Sequence, residues 1–302
     1  MRARSSRVAW GWLLVLLAAV TWGTTGTTSR LLAGQAGAGP LVVGPMRLLV
    51  AAPLMLLGAL ALDRGVRRPG WGALMAGACV AAYQLCFFSA VPLAGVAATA
   101  LLAICTAPLM IALVASVALG EKLTRRVLVA LVAGVVGAAL LVAGANPVGG
   151  AGFGLGALLA LGAGASYALY VVITKASLAH SPPMSLAAVT FTVAAVLLLP
   201  VLLLQQPSVS TIASGAPLFL YLGAVPTALA YAFYTSGMRH TSATAAGLAA
   251  LLEPLTATIL GVVLFGERLG IAGAAGAVLL VAALALLSFR GSVTAAETAP
   301  LA

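Results

Sequence analysis

Apolar residues along this chain fall into ten runs of about 20 residues each. Their limits lie near 9–29, 41–62, 71–91, 94–118, 126–145, 153–174, 184–204, 216–236, 241–265 and 271–289. Runs of that length cross a bilayer as α-helices. The pattern therefore predicts an all-α integral membrane fold with ten transmembrane helices, broken at charges, prolines and turn residues. Some linkers are very short, such as the one at Pro92 and the Arg239-His240 pair. Helices joined that tightly are antiparallel neighbours.

Positive charge sets the orientation. With the N-terminus in the cytoplasm, the cytoplasmic segments hold Arg2, Arg4, Arg7, Arg64, Arg67, Arg68, Lys122, Arg125, Arg126, Lys175, Arg239 and Arg290. The opposite side holds only Arg30 and Arg268, and Arg47 lies within a span. That bias puts both termini in the cytoplasm, and nine or eleven helices would scramble it. Ten helices make two halves of five. An odd count forces the second half to insert upside down relative to the first. The expected organisation is one half over 1–146, an inverted half over 147–292 and a cytoplasmic tail over 293–302.

The two halves repeat each other in residues as well as in count. Pro108-Leu-Met-Ile-Ala-Leu-Val-Ala-Ser-Val-Ala-Leu-Gly-Glu-Lys-Leu123 recurs 146 residues later as Pro254-Leu-Thr-Ala-Thr-Ile-Leu-Gly-Val-Val-Leu-Phe-Gly-Glu-Arg-Leu269. At the same offset Phe88 matches Tyr234 and Ala97 matches Ala243. Near the start of each half, Trp22 through Arg30 lines up with Tyr167 through Lys175, aromatic on aromatic and basic on basic. A duplicated membrane half points to a transporter whose substrate site lies at the repeat interface, worked by alternating access.

Composition narrows the class further. Hydrophobic residues make up 63% of the chain and charged residues 7%, with a mean hydropathy of +1.19. A soluble protein carries about a quarter charged residues, so this surface faces lipid. The net charge of +10 is scattered between spans with no basic helix face, which argues against nucleic acid. Cys79, Cys86 and Cys105 all fall inside apolar spans without metal-ligand spacing. The first apolar run is too long for a signal peptide and reads as a retained helix.

Polar groups within spans are costly and therefore informative. A charge at a helix centre costs roughly 2.5–3.5 kcal/mol. Glu253 lies about eleven residues into helix nine, roughly 17 Å along it, near the midplane, and its repeat mate is Ala107. It reads either as a cavity carboxylate for a substrate ammonium or a proton, or as a structural acid beside Pro254. Arg47 lies about two turns from the outer end of helix two, and is expected to snorkel to that interface as an anchor, with an ion pair to Glu253 or a contact to a substrate carboxylate as the alternatives. A pseudo-symmetric aromatic and amide set is the candidate binding surface: Trp22 on helix one, Tyr83, Gln84 and Phe87 on helix three, Tyr167 and Tyr170 on helix six, and Tyr231 and Tyr234 on helix eight. Trp10, Trp12 and Trp71 flank span starts as an interfacial belt. Thr99 joins the candidate set. Thr106, Thr244 and Thr256 bond either substrate or their own backbone. Pro108 and Pro254 bend helices four and nine at matching places.

Other classes lack their chemistry. His180 and His240 fall in loops far apart, and Asp63, Glu121, Glu267 and Glu297 sit at helix ends or in the tail, so neither a general acid–base pair nor a metal set is visible. The chain is therefore not read as an enzyme, and no cofactor is expected. No phosphate-binding glycine loop exists for ATP-driven pumping. The remaining alternative is a uniporter or channel-like facilitator without ion coupling.

At Trp22-Gly23, Pro40 through Arg47, Pro108…Gly120-Glu121 and Glu253-Pro254…Gly266-Glu267, the chain resembles the EamA-type drug/metabolite transporter superfamily. The resemblance spans about residues 9–289. The single motifs are common, but their pairing in two five-helix halves is specific. The resemblance implies a multi-pass carrier of the bacterial inner membrane, plausible as a monomer, that exports small metabolites such as amino acids or related amphipathic compounds. It further implies that helices one, three, four, six, eight and nine surround a central cavity, with helices five and ten supporting the packing. The threonine-rich start (Thr21, Thr24, Thr25, Thr27, Thr28) departs from the more apolar stretch that the resemblance implies there.

Overall fold

A computed structural model describes residues 2–63, 70–142, 152–266 and 270–288. Several expectations fall outside these residues. They are the second Gly-Glu-basic-Leu stop at Glu267 and Arg268, the charges at Arg64, Arg67, Arg68 and Arg290, Glu297, the junction near 146, and the tail over 293–302.

Helix is the only regular secondary structure among the described residues, with no strand among them. Eight helices are long and apolar enough to cross a membrane: α1 (Arg7–Ala36), α2 (Pro40–Leu62), α3 (Trp71–Ala94), α4 (Ala98–Ala118), then α6 (Phe153–Ser177), α7 (Pro183–Gln205), α8 (Val209–Met238) and α9 (Ala243–Leu264). The runs expected at 126–145 and 271–289 form α5 (Arg125–Val142) and α10 (Ile271–Ser288), each 18 residues long and bordering residues that are not described.

Large apolar side chains appear on both the inside and the outside of this bundle. Leu48, Met55, Ile111 and Leu222 are fully buried, whereas Leu57, Leu113, Val117, Leu204 and Val278 are more than half exposed. An outer surface of that kind is stable against lipid rather than water.

Packing joins the two halves of the chain reciprocally. α1 packs on α8 and α3 packs on α6, two contacts that exchange when the halves are exchanged. The pairs α2–α7, α4–α9 and α5–α10 each map onto themselves. The α5–α10 seam is close on both sides. A Cβ on Gly137 would stand 2.8 Å from the Gly276 carbonyl oxygen, and one on Gly276 would stand 2.5 Å from that of Gly137. Small residues let membrane helices approach to this degree.

Three long helices change their ladder near a proline, which removes a donor and crowds the carbonyl four residues back, whereas Pro45, Pro53 and Pro200 sit inside unbroken helices. In α4 the ladder widens into a π-helical turn over Leu101–Cys105, just ahead of Pro108. In α8 a second π-helical turn spans Ala224–Leu229 and contains Pro226. α9 is interrupted at Ala250 and Leu251, directly before Pro254. The expected bends at Pro108 and Pro254 therefore take two forms, a widened turn and a break. α1 is interrupted at Gly23. Its threonines mostly satisfy their own backbone: Thr21, Thr24 and Thr28 donate to the carbonyls of Ala18, Thr21 and Thr24.

One end of the bundle, here the Lys175 face, is tied across helices by charged side chains. Glu121 follows α4 and caps the start of α9, accepting from the Ala243 amide at 2.6 Å and from the Thr244 amide and hydroxyl at 3.0 and 2.6 Å. Lys175 donates to the carbonyls of Met238 at 2.7 Å and Thr241 at 2.6 Å. Asp63 accepts from the Ser185 amide at 2.6 Å and hydroxyl at 2.8 Å, capping α7. A helix terminus left without its cap loses about 0.5–2 kcal/mol. Glu121→Ala is accordingly expected to lower the thermal unfolding midpoint of the purified protein, with Asp63→Asn lowering it less because the amide oxygen still accepts. An unchanged midpoint in Glu121→Ala would show that the tie carries no energy.

Candidate functional site

The residues that open the other end, the Arg30 face, border a cavity of about 1090 Å³. Its mouth is formed at the ends of helices on that face, including Arg30, Pro40, Gly95, Leu141, Val262 and Gly270. No lining residue comes from the helix ends that carry Asp63, Glu121, Lys175 or His240. The cavity thus runs from one face to the middle of the bundle and stops.

An aromatic floor stops it. Trp22 from α1, Tyr83 and Phe87 from α3, Tyr167 from α6 and Tyr231 from α8 all line the cavity. Ring centroids lie 4.9 Å apart for Trp22–Tyr231, 6.4 Å for Trp22–Tyr167, 5.8 Å for Tyr83–Tyr167 and 5.7 Å for Tyr83–Phe87. Helices remote in sequence therefore bring these rings into one packed layer. Aromatic contacts of this kind contribute about 0.5–1.5 kcal/mol beyond their buried area. Gln84, 5% exposed, also faces the cavity.

A second layer lies behind the first. Tyr170 and Tyr234, expected at the cavity wall, are buried beneath it at 2% and 0% exposure. Each follows its cavity-lining partner, Tyr167 or Tyr231, by three residues. Both helices run towards the Lys175 face there, so the later residue sits one turn deeper. Phe191 of α7 completes this layer, 4.3 Å from Tyr231 and 6.5 Å from Tyr170. Sequence reasoning passed over Phe191 because its repeat mate is Pro45, so symmetry gave no signal. Thr99, also expected at the wall, is fully buried away from it. The π-helical turn that follows rotates the start of α4 relative to the rest.

Several polar atoms in this floor have no partner. Trp22 Nε1 and the hydroxyls of Tyr167 and Tyr234 are buried without a hydrogen bond, as is the Thr99 hydroxyl away from the cavity. Tyr167 and Tyr234 approach each other closely enough to interact, but not with hydrogen-bond geometry. Each buried orphan costs about 1–3 kcal/mol. Such a deficit is tolerated where a ligand, water or a second conformation satisfies it.

Two charged side chains from different halves also face the cavity. Glu253 of α9 sits just past the break at Ala250 and Leu251, on the cavity wall. Arg47 of α2 is only 7% exposed and lines the same cavity. It does not snorkel to the interface as expected. Its Nε donates to Thr227 Oγ1 at 2.9 Å, and its Nη2 points to the Pro226 carbonyl at 3.5 Å. Both acceptors belong to the π-helical turn of α8, and Thr227 Oγ1 donates onward to the Leu222 carbonyl at 2.6 Å. The turn thus offers a polar notch that holds the guanidinium inside the bundle. The remaining threonines are structural: Thr106 and Thr256 donate to their own helices, and Thr244 holds Glu121. Trp10 and Trp71, 57% and 81% exposed, sit on the outer surface as an interfacial belt requires, whereas Trp12, expected with them, is partly buried against the core.

Two stretches of the chain, residues 9–143 and 154–289, each match the model of the EamA-like transporter family. The chain belongs to this family. It is similar to the uncharacterized transporter YwfM of Bacillus subtilis (strain 168), at 36% identity over 281 residues, covering 91% of this chain and 93% of that protein. A putative permease-like protein of the same organism, YdzE, is 39% identical over 51 residues, covering 17% of this chain and 65% of that one. A solved crystal structure shares the fold at a TM-score of 0.80 and 22% identity, covering 91% of this chain and 96% of that one. An EamA-like transporter is a multi-pass membrane protein that moves small molecules, and both matched stretches contribute residues to the cavity. The helices around that cavity are more numerous than the resemblance implied. α2 contributes Arg47 and Val43, and α5 and α10 contribute Leu140, Leu141, Ala272 and Gly273 at the mouth.

Proposed function

We propose that the protein is a secondary transporter that exports amino acids or related amphipathic metabolites by alternating access. The observation that carries this reading is a single cavity, built from both halves, that reaches one face and is closed towards the other by two aromatic layers. A cavity that opens to one face and is floored by packed rings supports a carrier over an open channel.

In this reading ten helices span the bacterial cytoplasmic (inner) membrane as two inverted five-helix halves, over 1–146 and 147–292, with both termini in the cytoplasm. The Lys175 face is then cytoplasmic and the cavity opens outward. The charge bias between the two faces supports the orientation, and reciprocal packing of α1–α8 with α3–α6 supports the pairing of halves. The protein works as a monomer on a small-molecule cargo, with no catalytic step.

Counterflow in proteoliposomes tests the proposal. Vesicles preloaded with unlabelled phenylalanine are expected to accumulate labelled phenylalanine transiently above its external concentration, and the effect is expected to saturate. Uptake that never exceeds equilibration, for phenylalanine and for a panel of other amino acids and amphipathic amines, would contradict a carrier of this class.

A further inference from the structure

We infer that Arg47 and Glu253 are the two poles of one zwitterion site, Arg47 holding a cargo carboxylate and Glu253 the neighbouring ammonium. The inference rests on the carrier reading above and names the cargo chemistry that this cavity fits.

Opposite charges buried in a bundle ordinarily neutralise each other, because each unpaired ion carries a desolvation cost of several kcal/mol. Arg47 and Glu253 line the same cavity yet form no ion pair. The guanidinium is instead tethered from behind, through Nε to Thr227 and Nη2 to the Pro226 carbonyl. A guanidinium has five N–H donors, so these bonds leave three for the cavity. The Glu253 carboxylate accepts no hydrogen bond from any described side chain or amide, although donors at Tyr83 and Tyr231 stand within electrostatic reach of both it and Arg47. The fold therefore keeps one positive and one negative pole unpaired on the wall of one cavity, which Tyr83 and Tyr231 also line.

A ligand with a single charge leaves one pole without a partner. A ligand carrying an ammonium and a carboxylate on one carbon satisfies both and brings no net charge into the membrane. The surroundings select for the rest of the molecule. Trp22, Tyr83, Phe87 and Tyr167 line the cavity with rings that suit an apolar or aromatic side chain. The chemistry that fits is an α-amino acid with an apolar or aromatic side chain.

The two poles differ in what holds them. Arg47 is fixed by the π-helical turn of α8, a second-half element gripping a first-half residue. Glu253 sits just past the break in α9. A cargo that bridges them joins elements which must move relative to each other in a rocking cycle, so bound cargo and conformation are coupled through these two side chains.

Ligand-dependent thermal shifts of the purified full chain in detergent test the assignment. The probes are phenylalanine, phenethylamine, which lacks the carboxylate, and 3-phenylpropionate, which lacks the ammonium. The wild type is expected to bind phenylalanine about 10- to 100-fold more tightly than either, as loss of a charge-assisted hydrogen bond implies. Arg47→Gln is expected to erase the advantage of phenylalanine over phenethylamine while leaving phenethylamine itself unchanged. Glu253→Gln is expected to erase its advantage over 3-phenylpropionate. If Arg47→Gln does not fold, Arg47→Lys serves: it keeps the charge but loses the fork, and phenylalanine is expected to weaken severalfold. Phenethylamine binding the wild type as tightly as phenylalanine would overturn the assignment, as would variants that keep the wild-type preference or an absence of any shift with all three probes. Counterflow of a singly charged amine in the same preparation would then show that the carrier reading survives without the zwitterion site.

Discussion

Glu253→Gln is expected to lower proton-driven transport in proteoliposomes by at least about tenfold and to remove its dependence on an imposed pH gradient. The change keeps the volume of the side chain and removes only its charge and its ability to exchange a proton. A hydrogen bond to a charged group contributes about 1.5–3 kcal/mol, which corresponds to the tenfold to hundredfold range. No other acid among the described residues faces the cavity, because Asp63 and Glu121 are both committed to caps on the Lys175 face. Among the described residues, coupling through a carboxylate therefore has one candidate. Transport that is undiminished and still accelerated by a pH gradient would sink the role of Glu253 as proton carrier. Weaker binding with no gradient effect in either protein would instead identify a facilitative carrier.

Gly276→Val is expected to destabilise the protein by about 1–3 kcal/mol or more, the usual range for overpacking. The new Cβ would meet the Gly137 carbonyl oxygen at 2.5 Å, and the Leu140 Cβ and Leu141 amide nitrogen at 2.9 Å. Two of these atoms are backbone, so relief requires α5 and α10 to separate. Gly34→Ala is the control. Its Cβ would meet nothing within 4 Å, and alanine in a helix is favoured over glycine by about 0.5–1 kcal/mol. A thermal midpoint that falls for Gly276→Val and holds or rises for Gly34→Ala is the expected pair of results. Equal midpoints would show that the α5–α10 seam yields without cost.

Much of the fold was legible because apolar runs, prolines and charges act locally. Run length located the helices, and Pro108 and Pro254 marked where they bend. The aromatic candidates came from comparing the halves, which is why Trp22, Tyr83, Tyr167 and Tyr231 appear together at the floor. Depth was not legible in the same way. Tyr170 and Tyr234 share the pattern of the lining residues but sit one turn lower, and a repeat match carries no information about that turn. Arg47 was misplaced for a different reason. Its partners, Thr227 and Pro226, lie about 180 residues away in a π-helical turn, and no local pattern announces a polar notch inside an apolar helix. Asp63 and Glu121 were recognised as helix-end acids, but the amides they cap, those of Ser185 and Ala243, each lie 122 residues later.

Sidedness of a cysteine placed in the cavity tests the alternating cycle most directly. Ala257 lines the cavity one turn beyond Glu253. Ala257→Cys, in a background lacking Cys79, Cys86 and Cys105, offers one thiol to a membrane-impermeant reagent in vesicles of known orientation. Without cargo, the thiol is expected to react from the Arg30 face and not from the Lys175 face. With phenylalanine present, reaction from the Arg30 face is expected to slow and reaction from the Lys175 face to appear. A thiol that reacts only from the Arg30 face under every condition, or from both faces without cargo, would contradict alternating access.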